Sequence, residues 1–193
     1  MEILSIIKAC YNSLMIIIVG LGNPGRRYRN TPHNLGFEAI DRLRKKHHLP
    51  RFRSEKMNWT SQGLIAGQPV LLAKPLTFMN NSGVAVAALA KEYQIPPDQI
   101  WLIHDEAALP LGQIKSSFNH SPGGHKGVAS VYQHLNTSNI LRFRLGSSLK
   151  ENSDLKDFVL RPYRRADRLL AKEMIEQLVN LIEAALDKIS VQN

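Results

Sequence analysis

The order of apolar and polar positions along the chain predicts strands that alternate with helices. Short apolar runs bounded by glycine, proline or polar residues predict strands at 16–19, 59–65, 69–74, 100–104, 112–118 and 141–145. Apolar residues three and four positions apart predict helices at 31–46, 82–93, 127–135 and 165–189. Residues 45–56 are expected to form a loop or an edge strand, and 119–124 a loop. This alternation indicates a single three-layer α/β domain.

The same pattern predicts which residues begin the first helix and which face the core. Thr31 is expected to cap the first helix, with Pro32 in its first position. In the second helix, Val84, Ala88 and Leu89 are expected to face inward. The last helix carries an apolar stripe that we interpret as core packing rather than as a binding surface. Its members are Leu170, Met174, Leu178, Leu181, Ala185 and Ile189.

The first residues of the chain and its composition limit the domain bounds and the class of protein. Met15 directly precedes the first predicted strand, so we expect residues 1–14 to be a dispensable extension of a domain that spans 15–193. Hydrophobic residues make up 44% and charged residues 21%, which is typical of a globular chain. No apolar stretch reaches the roughly 18 residues of a membrane span. The single cysteine, Cys10, leaves no disulfide within one chain and favours a reducing, cytoplasmic location.

Charge is distributed unevenly along the chain. Lysine and arginine number 25 against 16 acidic residues, which gives a net charge of +9. Residues 1–150 hold 18 basic and 8 acidic side chains, whereas 151–193 hold 7 and 8. The excess of basic side chains in residues 1–150 favours a polyanionic partner, such as a nucleic acid or a membrane surface. A basic protein without such a partner remains the alternative.

A glycine-rich loop follows the first predicted strand and matches the G-x-G-x-x-G pattern of dinucleotide-binding proteins. The loop is Gly20-Leu21-Gly22-Asn23-Pro24-Gly25. A dinucleotide site needs a helix that opens within the glycines and an acidic residue at a later strand end. Here Pro24-Gly25 favours a turn, no helix is predicted before Thr31, and Asp41 lies within that helix. These features argue against a nicotinamide-dependent oxidoreductase, which we keep as the third interpretation.

Three groups of residues occur in the order and at the spacing of one known family. The first group is the glycine loop with Tyr28, Thr31 and His33-Asn34. The second is Lys74-Pro75-Leu76-Thr77-Phe78-Met79-Asn80-Asn81-Ser82-Gly83. The third is His104-Asp105-Glu106, Leu109-Pro110 and Gly112, followed by Gly123-Gly124-His125 and Gly127. Together they resemble bacterial-type peptidyl-tRNA hydrolases from about Ile16 to Leu160.

The resemblance implies a mixed twisted β-sheet flanked by helices and a monomer that needs no metal or organic cofactor. The family hydrolyses the ester between a peptide and the 3′ end of tRNA, and so recycles tRNA from abandoned translation. His33 is expected to be the catalytic base, because a neutral imidazole at the positive end of a helix can accept a proton. Asp105, near a strand end, is expected to orient His33 and to stabilise its imidazolium.

Further site residues follow from the resemblance, each with a purely structural role as its alternative. Asn23 and Asn80 match residues that hold the peptide backbone and the water. Tyr28, Phe78 and Met79 match the wall of the site, and His125 is expected to shape its loop. Candidate tRNA contacts are Lys115, Arg142 and Arg144, with Arg26, Arg27 and Arg29 beside the site loop.

The chain departs from the family at several of these positions. Lys126 stands where the family usually has asparagine, and we expect it to bind substrate as a cation. Pro32 replaces a common arginine, Ala107-Ala108 replaces a leucine–aspartate pair, and 117–122 lacks the usual glycine run. Because these changes spare His33 and Asp105, they bear on substrate affinity more than on chemistry. The second interpretation is a non-catalytic RNA-binding relative of the same fold.

Overall fold

The computed structural model describes residues 15–148 and 162–192. The expected extension 1–14, Cys10 within it, and the family-like segment 158–160 lie outside the described residues. The described strands are β1 (Ile16–Gly20), β2 (Arg53–Glu55), β3 (Asn58–Ile65), β4 (Gln68–Pro75), β5 (Ile100–Pro110), β6 (Ile114–Ser117) and β7 (Leu141–Ser148). The described α-helices are α1 (Leu35–Lys46), α2 (Ser82–Tyr93), α3 (Lys126–Leu135) and α4 (Arg165–Gln192).

The strands form one mixed sheet in the order β2-β3-β4-β1-β5-β7-β6. The central strands β4, β1, β5 and β7 run parallel, whereas β2, β3 and β6 pair antiparallel with their neighbours. The expected mixed sheet is confirmed. β1 ends beside Ile103 of β5, which continues to Pro110, so the glycine loop after β1 lies next to the second half of β5 at one edge of the sheet.

Helices cover both faces of the sheet, which confirms the three-layer prediction. On one face, Ile18 of β1 and Ile103 of β5 pack in a cluster with the buried sides of α1 and α4. On the other face, Ile17 and Leu102 pack with α2 and α3. The central strands are apolar on both faces because both are buried. Among the described helices, none combines the length and the hydropathy that crossing a membrane needs.

Two helices bury a different face from the one that was predicted. In α2, Leu89 is buried as expected, but Val84 is 37% exposed and Ala88 is half-buried. In α4, Met174 and Leu178 are buried, whereas Leu170 and Leu181 are exposed. The remaining buried residues of α4 are Ala171, Ile175, Val179, Ile182 and Leu186. Ala185 and Ile189 are partly buried and also pack against this core, so the core-packing interpretation holds for four of the six predicted residues. It was wrong for Leu170 and Leu181 because the packed face of α4 is centred one residue later in the sequence.

The segment between β1 and α1 is more irregular than the predicted helix. A 3₁₀ turn at Pro32–Asn34 precedes α1, which begins only at Leu35. Thr31 does not cap it with its side chain, because its hydroxyl donates to the carbonyl of Tyr28 at 2.7 Å. At the other end of the segment, a Cβ on Gly20 would lie 2.1 Å from the carbonyl oxygen of Gly36. The backbone of α1 therefore packs directly on β1, and this contact places the 3₁₀ turn at the sheet edge.

Candidate active site

His33 and Asp105 meet at the carboxyl edge of the sheet. His33 lies in the 3₁₀ turn before α1, and Asp105 lies within β5, which continues to Pro110 instead of ending at 104. His33 Nδ1 is 2.9 Å from both carboxylate oxygens of Asp105. Because an ionised carboxylate can only accept, Nδ1 donates, and the neutral ring keeps its lone pair on Nε2. The structure thus brings together the two residues that the resemblance implied.

Asp105 is held as an anion although it is 2% exposed. Burial alone would raise the pKa of this carboxyl group, but interactions with His125 and His33 outweigh burial and hold the pKa well below its ordinary value. His33 remains 22% exposed, so a water molecule or a substrate can reach its ring. The pair therefore consists of a fixed anion and an accessible imidazole.

His125 is a third member of this cluster. It caps α3, where its Nδ1 accepts from the backbone N–H of Val128 at 3.2 Å. Its Nε2 must therefore carry the proton in the neutral ring, and Nε2 donates to Asp105 Oδ1 at 3.0 Å. The rings of His33 and His125 are 5.5 Å apart between centroids. His125 therefore does more than shape its loop: it also bonds the carboxylate that bonds His33.

His104 lies behind His125 and is fully buried. Its Nδ1 donates to the backbone carbonyl of Asp105 at 2.7 Å, and its ring packs edge-on against His125 with centroids 4.7 Å apart. Its Nε2 has no hydrogen-bond partner among the described residues. Burial, followed by the neighbouring His125, lowers the pKa of His104 well below its ordinary value. His104 is therefore neutral, and it supports both the backbone of Asp105 and the ring of His125.

Asn23 connects the glycine loop to two other parts of the site. The side chain of Asn34 accepts from Asn23 N–H at 2.9 Å and donates to the Asn23 carbonyl at 3.0 Å. Asn23 Oδ1 accepts from the backbone N–H of Met79 at 2.8 Å. Because Asn23 Oδ1 already accepts this hydrogen bond, the side-chain Nδ2 is the group of Asn23 that can donate to a ligand. The loop is thus fixed by side chains rather than built around a dinucleotide.

The other expected site residues lie in the turns before α1 and α2 and at the start of α3. Met79 is buried, whereas Phe78 is 50% exposed and packs edge-on against Tyr28 at 6.5 Å between ring centroids. Asn80 is exposed in the 3₁₀ turn that precedes α2. Lys126 is exposed in the first turn of α3, directly after His125. The turn that holds Asn80 and the start of α3 thus present polar groups to solvent beside the cluster.

Three of the expected tRNA contacts lie on β6 and β7 and differ in their exposure. Lys115 is exposed on β6, opposite Arg144 of β7. Arg144 pairs with Glu106 at 3.1 Å and is 18% exposed. Arg142, by contrast, is 1% exposed, and its guanidinium donates to the carbonyl of Ser121 at 2.9 Å. Arg142 is therefore corrected from a surface phosphate contact to an interior residue that holds the loop ahead of His125.

The ring nitrogens and carboxylate of His33, Asp105 and His125 lie within 4.8 Å of one another, close enough to be considered as metal ligands. The hydrogen-bond pattern does not fit that use. His125 Nε2 carries a proton as long as Nδ1 accepts from the α3 backbone, and a protonated nitrogen has no lone pair for a metal. Metal binding would require the loss of this helix cap. We therefore interpret the cluster as a hydrogen-bonded acid–base site.

Sequence reasoning missed three residues of this arrangement. His125 was expected only to shape its loop, and His104 and Asn34 were quoted in the family motifs without a role. For His125 a signal was present. It follows two glycines and directly precedes a predicted helix, which is the position of a residue that caps a helix with its side chain. For Asn34 the pairing with Asn23 depends on the 3₁₀ turn, which the periodic pattern does not predict.

Comparisons with known proteins identify the family of this chain. The sequence model of the family described as peptidyl-tRNA hydrolase matches residues 17–192. The peptidyl-tRNA hydrolase of Bacillus licheniformis is 39% identical over 175 residues, which cover 90% of this chain and 93% of that protein. The Aquifex aeolicus enzyme of the same name is 37% identical over 172 residues, or 89% and 90%.

Solved structures give the same result for the fold. The crystal structure of peptidyl-tRNA hydrolase from Acinetobacter baumannii superposes with a TM-score of 0.84 at 30% identity, and the match covers 92% of this chain and 91% of that one. Sequence and structure therefore agree over nearly the whole length of both partners, and the chain belongs to the peptidyl-tRNA hydrolase family.

Proposed function

We propose that the cluster around Asp105 hydrolyses the ester bond between the peptide and the 3′ end of tRNA in peptidyl-tRNA. The chain belongs to a family with this activity, and one observation supports these residues as its centre. His33 Nδ1 donates to the ionised Asp105, which leaves Nε2 of a solvent-accessible imidazole free to accept a proton. This is the arrangement that a general base needs. A non-catalytic RNA-binding relative would have no use for it.

The reaction proceeds through two proton transfers at His33 Nε2. The ring removes a proton from water as the water oxygen attacks the ester carbonyl carbon, and a tetrahedral intermediate forms. The bond from that carbon to the ribose oxygen then breaks, and the imidazolium returns the proton to the departing oxygen. Asp105 stabilises the imidazolium between the two steps. The products are a peptide with a free carboxylate and a tRNA with a free 3′-terminal hydroxyl.

The neighbouring polar groups are proposed to hold the substrate. Asn23 Nδ2 and the amide of Asn80 would donate to the peptide backbone, which suits a neutral amide because it adds no charge. Lys126, one residue from His125, would bind the terminal phosphate or the developing oxyanion. Tyr28, Phe78 and Met79 would form the wall that surrounds the ester.

The nucleic acid is proposed to approach from the β6 side of the site. Lys115 is exposed there, and Arg144 lies next to it in the sheet, while Lys126 is exposed at the start of α3. Lysine and arginine bind phosphates without reading sequence, which suits an enzyme that accepts the acceptor stem and 3′ end of many tRNAs. In line with the family it resembles, we propose that the protein acts as a monomer in the cytoplasm, where peptidyl-tRNA is produced.

The decisive experiment measures peptide release from a labelled peptidyl-tRNA by the wild type and by His33→Ala. We expect rapid release by the wild type and a large fall in kcat for the variant. His134→Ala serves as the matched control, because His134 is an exposed histidine on α3 away from the cluster. A wild type no faster than His33→Ala would overturn the proposal.

A further inference from the structure

A cavity lies against the end of the glycine loop and the start of α1, next to Asn23 of the candidate active site. It has a volume of about 490 Å³, within the range of ligand-binding clefts. Its wall includes Asn23, Arg26, Arg29, Trp59 and Lys74. Asn23 also bonds the Met79 turn of the active site, so the two regions share a wall. In the sheet, this cavity adjoins β3 and β4, whereas Lys115 lies at the opposite edge on β6.

The acidic groups in this cavity are already neutralised by its own cations. Lys74 Nζ bonds Asp41 at 2.6 Å, and Arg168 forms an ion pair with Glu38. Arg26 and Arg29 are exposed, and neither forms an ion pair with any residue in 15–148 or 162–192. The rim of the cavity therefore carries two positive charges that no described residue neutralises, and it favours an anionic ligand group.

The rings of Phe37 and Trp59 give the cavity an apolar wall, and Phe52 contacts Lys74 behind it. The ammonium group of Lys74 lies 4.3 Å from the ring centre of Phe52, 5.2 Å from Trp59 and 5.6 Å from Phe37. These contacts hold the lysine against the rings. Trp59 remains 44% exposed, so part of its ring is available to a ligand. A cavity lined by both aromatic rings and two exposed guanidinium groups suits a peptide that carries carboxylates on short apolar side chains.

We propose that this cavity is a subsite for the nascent peptide, and that it favours acidic side chains in the residues just before the esterified one. The inference rests on the proposed function, in which Asn23 holds the peptide next to the ester. A peptide held there can continue past Asn23 into the cavity, while the tRNA lies toward β6. The arginines then make charge-assisted hydrogen bonds to aspartate or glutamate side chains of the peptide.

The test uses three peptidyl-tRNAs of equal length that differ only in the residue before the last, which is Asp, Asn or Lys. We expect a KM five- to tenfold lower for the Asp substrate than for the Lys substrate, with similar kcat. The double variant Arg26→Glu/Arg29→Glu should reverse this order. The control Lys91→Glu/Lys188→Glu makes the same change in net charge at two exposed lysines remote from the cavity lining, and it should keep the wild-type order.

Each other outcome overturns the subsite for a different reason. Equal KM values for the three substrates with the wild type would show that the cavity does not sense peptide charge. If the double variant weakens all three substrates equally and also lowers the affinity for deacylated tRNA, the arginines contact RNA phosphates instead. Failure of the wild type to release peptide from any substrate would overturn the proposed function, and the subsite with it.

Discussion

His33 and His125 donate to the same carboxylate from two separate elements, one before α1 and one at the start of α3. His33 Nδ1 lies 2.9 Å and His125 Nε2 3.0 Å from Asp105 Oδ1. Only His33 is placed to act as a base, because Nδ1 of His125 is occupied by the α3 backbone. His125 therefore fixes the position of Asp105, and Asp105 fixes the orientation of His33.

Replacing Asp105 by asparagine tests the orientation of the base. The amide group in place of the carboxylate would present its NH₂ or its oxygen to two histidines that both donate to the native side chain. A hydrogen donated by the amide to His33 Nδ1 would move the ring proton to Nε2 and remove the lone pair that accepts from water. We expect Asp105→Asn to lower kcat by about 10²–10⁴-fold with a smaller change in KM. The measurement is single-turnover peptide release, and activity within twofold of the wild type would contradict the role.

A pair of variants at His125 separates its two hydrogen bonds. Asparagine is a good helix cap and can keep the bond to Val128, whereas it is too short to reach Asp105 as the imidazole does. A hydrogen bond to a charged group contributes about 1.5–3 kcal/mol, so His125→Asn should lower kcat by roughly ten- to a hundredfold. Its stability should fall as well, because the buried carboxylate of Asp105 loses one of its two histidine donors, but the helix cap should be kept.

His125→Ala is the matched comparison, because it loses both bonds. We expect the same fall in kcat and a free energy of unfolding about 1 kcal/mol lower than that of His125→Asn, because only the alanine variant lacks the cap. Urea unfolding and peptide release measured on both variants give the result. If His125→Asn keeps full activity, the contact with Asp105 is not needed for catalysis.

The sequence pattern predicted an element where the local composition alone determines it. The apolar runs of β1 and β4 and the boundaries of α2 follow from local composition, since strands buried on both faces are almost purely apolar. The extension of β5 to Pro110 was not predictable, because its second half contains Asp105 and Glu106 and is held by pairing with β7. Pairing between distant strands leaves little trace in a local pattern.

The site was predictable only through the resemblance. His33 and Asp105 are 72 positions apart, and no local pattern indicates that they touch. The contact between His125 and Asp105 depends on the shape of the loop before α3, which Arg142 holds through the carbonyl groups of His120 and Ser121. A basic residue in an alternating strand pattern gave no sign that it would be buried, which is why Arg142 was misassigned.

The stability of the protein should depend on pH through His104. Its folded-state pKa is depressed, so protonation at low pH favours the unfolded state, where the ring is free in water. Stability is therefore complete above the ordinary histidine pKa and falls as the pH drops below about 6.5, at up to about 1.4 kcal/mol per pH unit. The groups around the ring are His125, Asp105 and Arg142. Asp105 adds a further loss only below about pH 4, because its folded pKa is also depressed.

His104→Asn provides the measurement for this dependence. Asparagine does not titrate and can donate to the carbonyl of Asp105, so the change in free energy of unfolding between pH 7 and pH 5 should be smaller than in the wild type. His134→Asn is the control, since exposed His134 makes a similar bond to the carbonyl of Ser130 at 2.8 Å. If His104→Asn and His134→Asn give the same pH profile, the depressed pKa of His104 does not govern acid stability.

Lys126 should contribute to substrate binding through its charge. It is exposed beside His125, and a lysine that binds a phosphate releases about one counterion from the nucleic acid. We expect Lys126→Ala to raise KM and to reduce the slope of log KM against log salt by about 0.7–0.9. Lys126→Asn restores the usual family residue without the charge, so it should show the same loss of salt dependence while it retains hydrogen bonding. If Lys126→Ala leaves turnover and tRNA affinity unaltered, Lys126 does not bind the substrate.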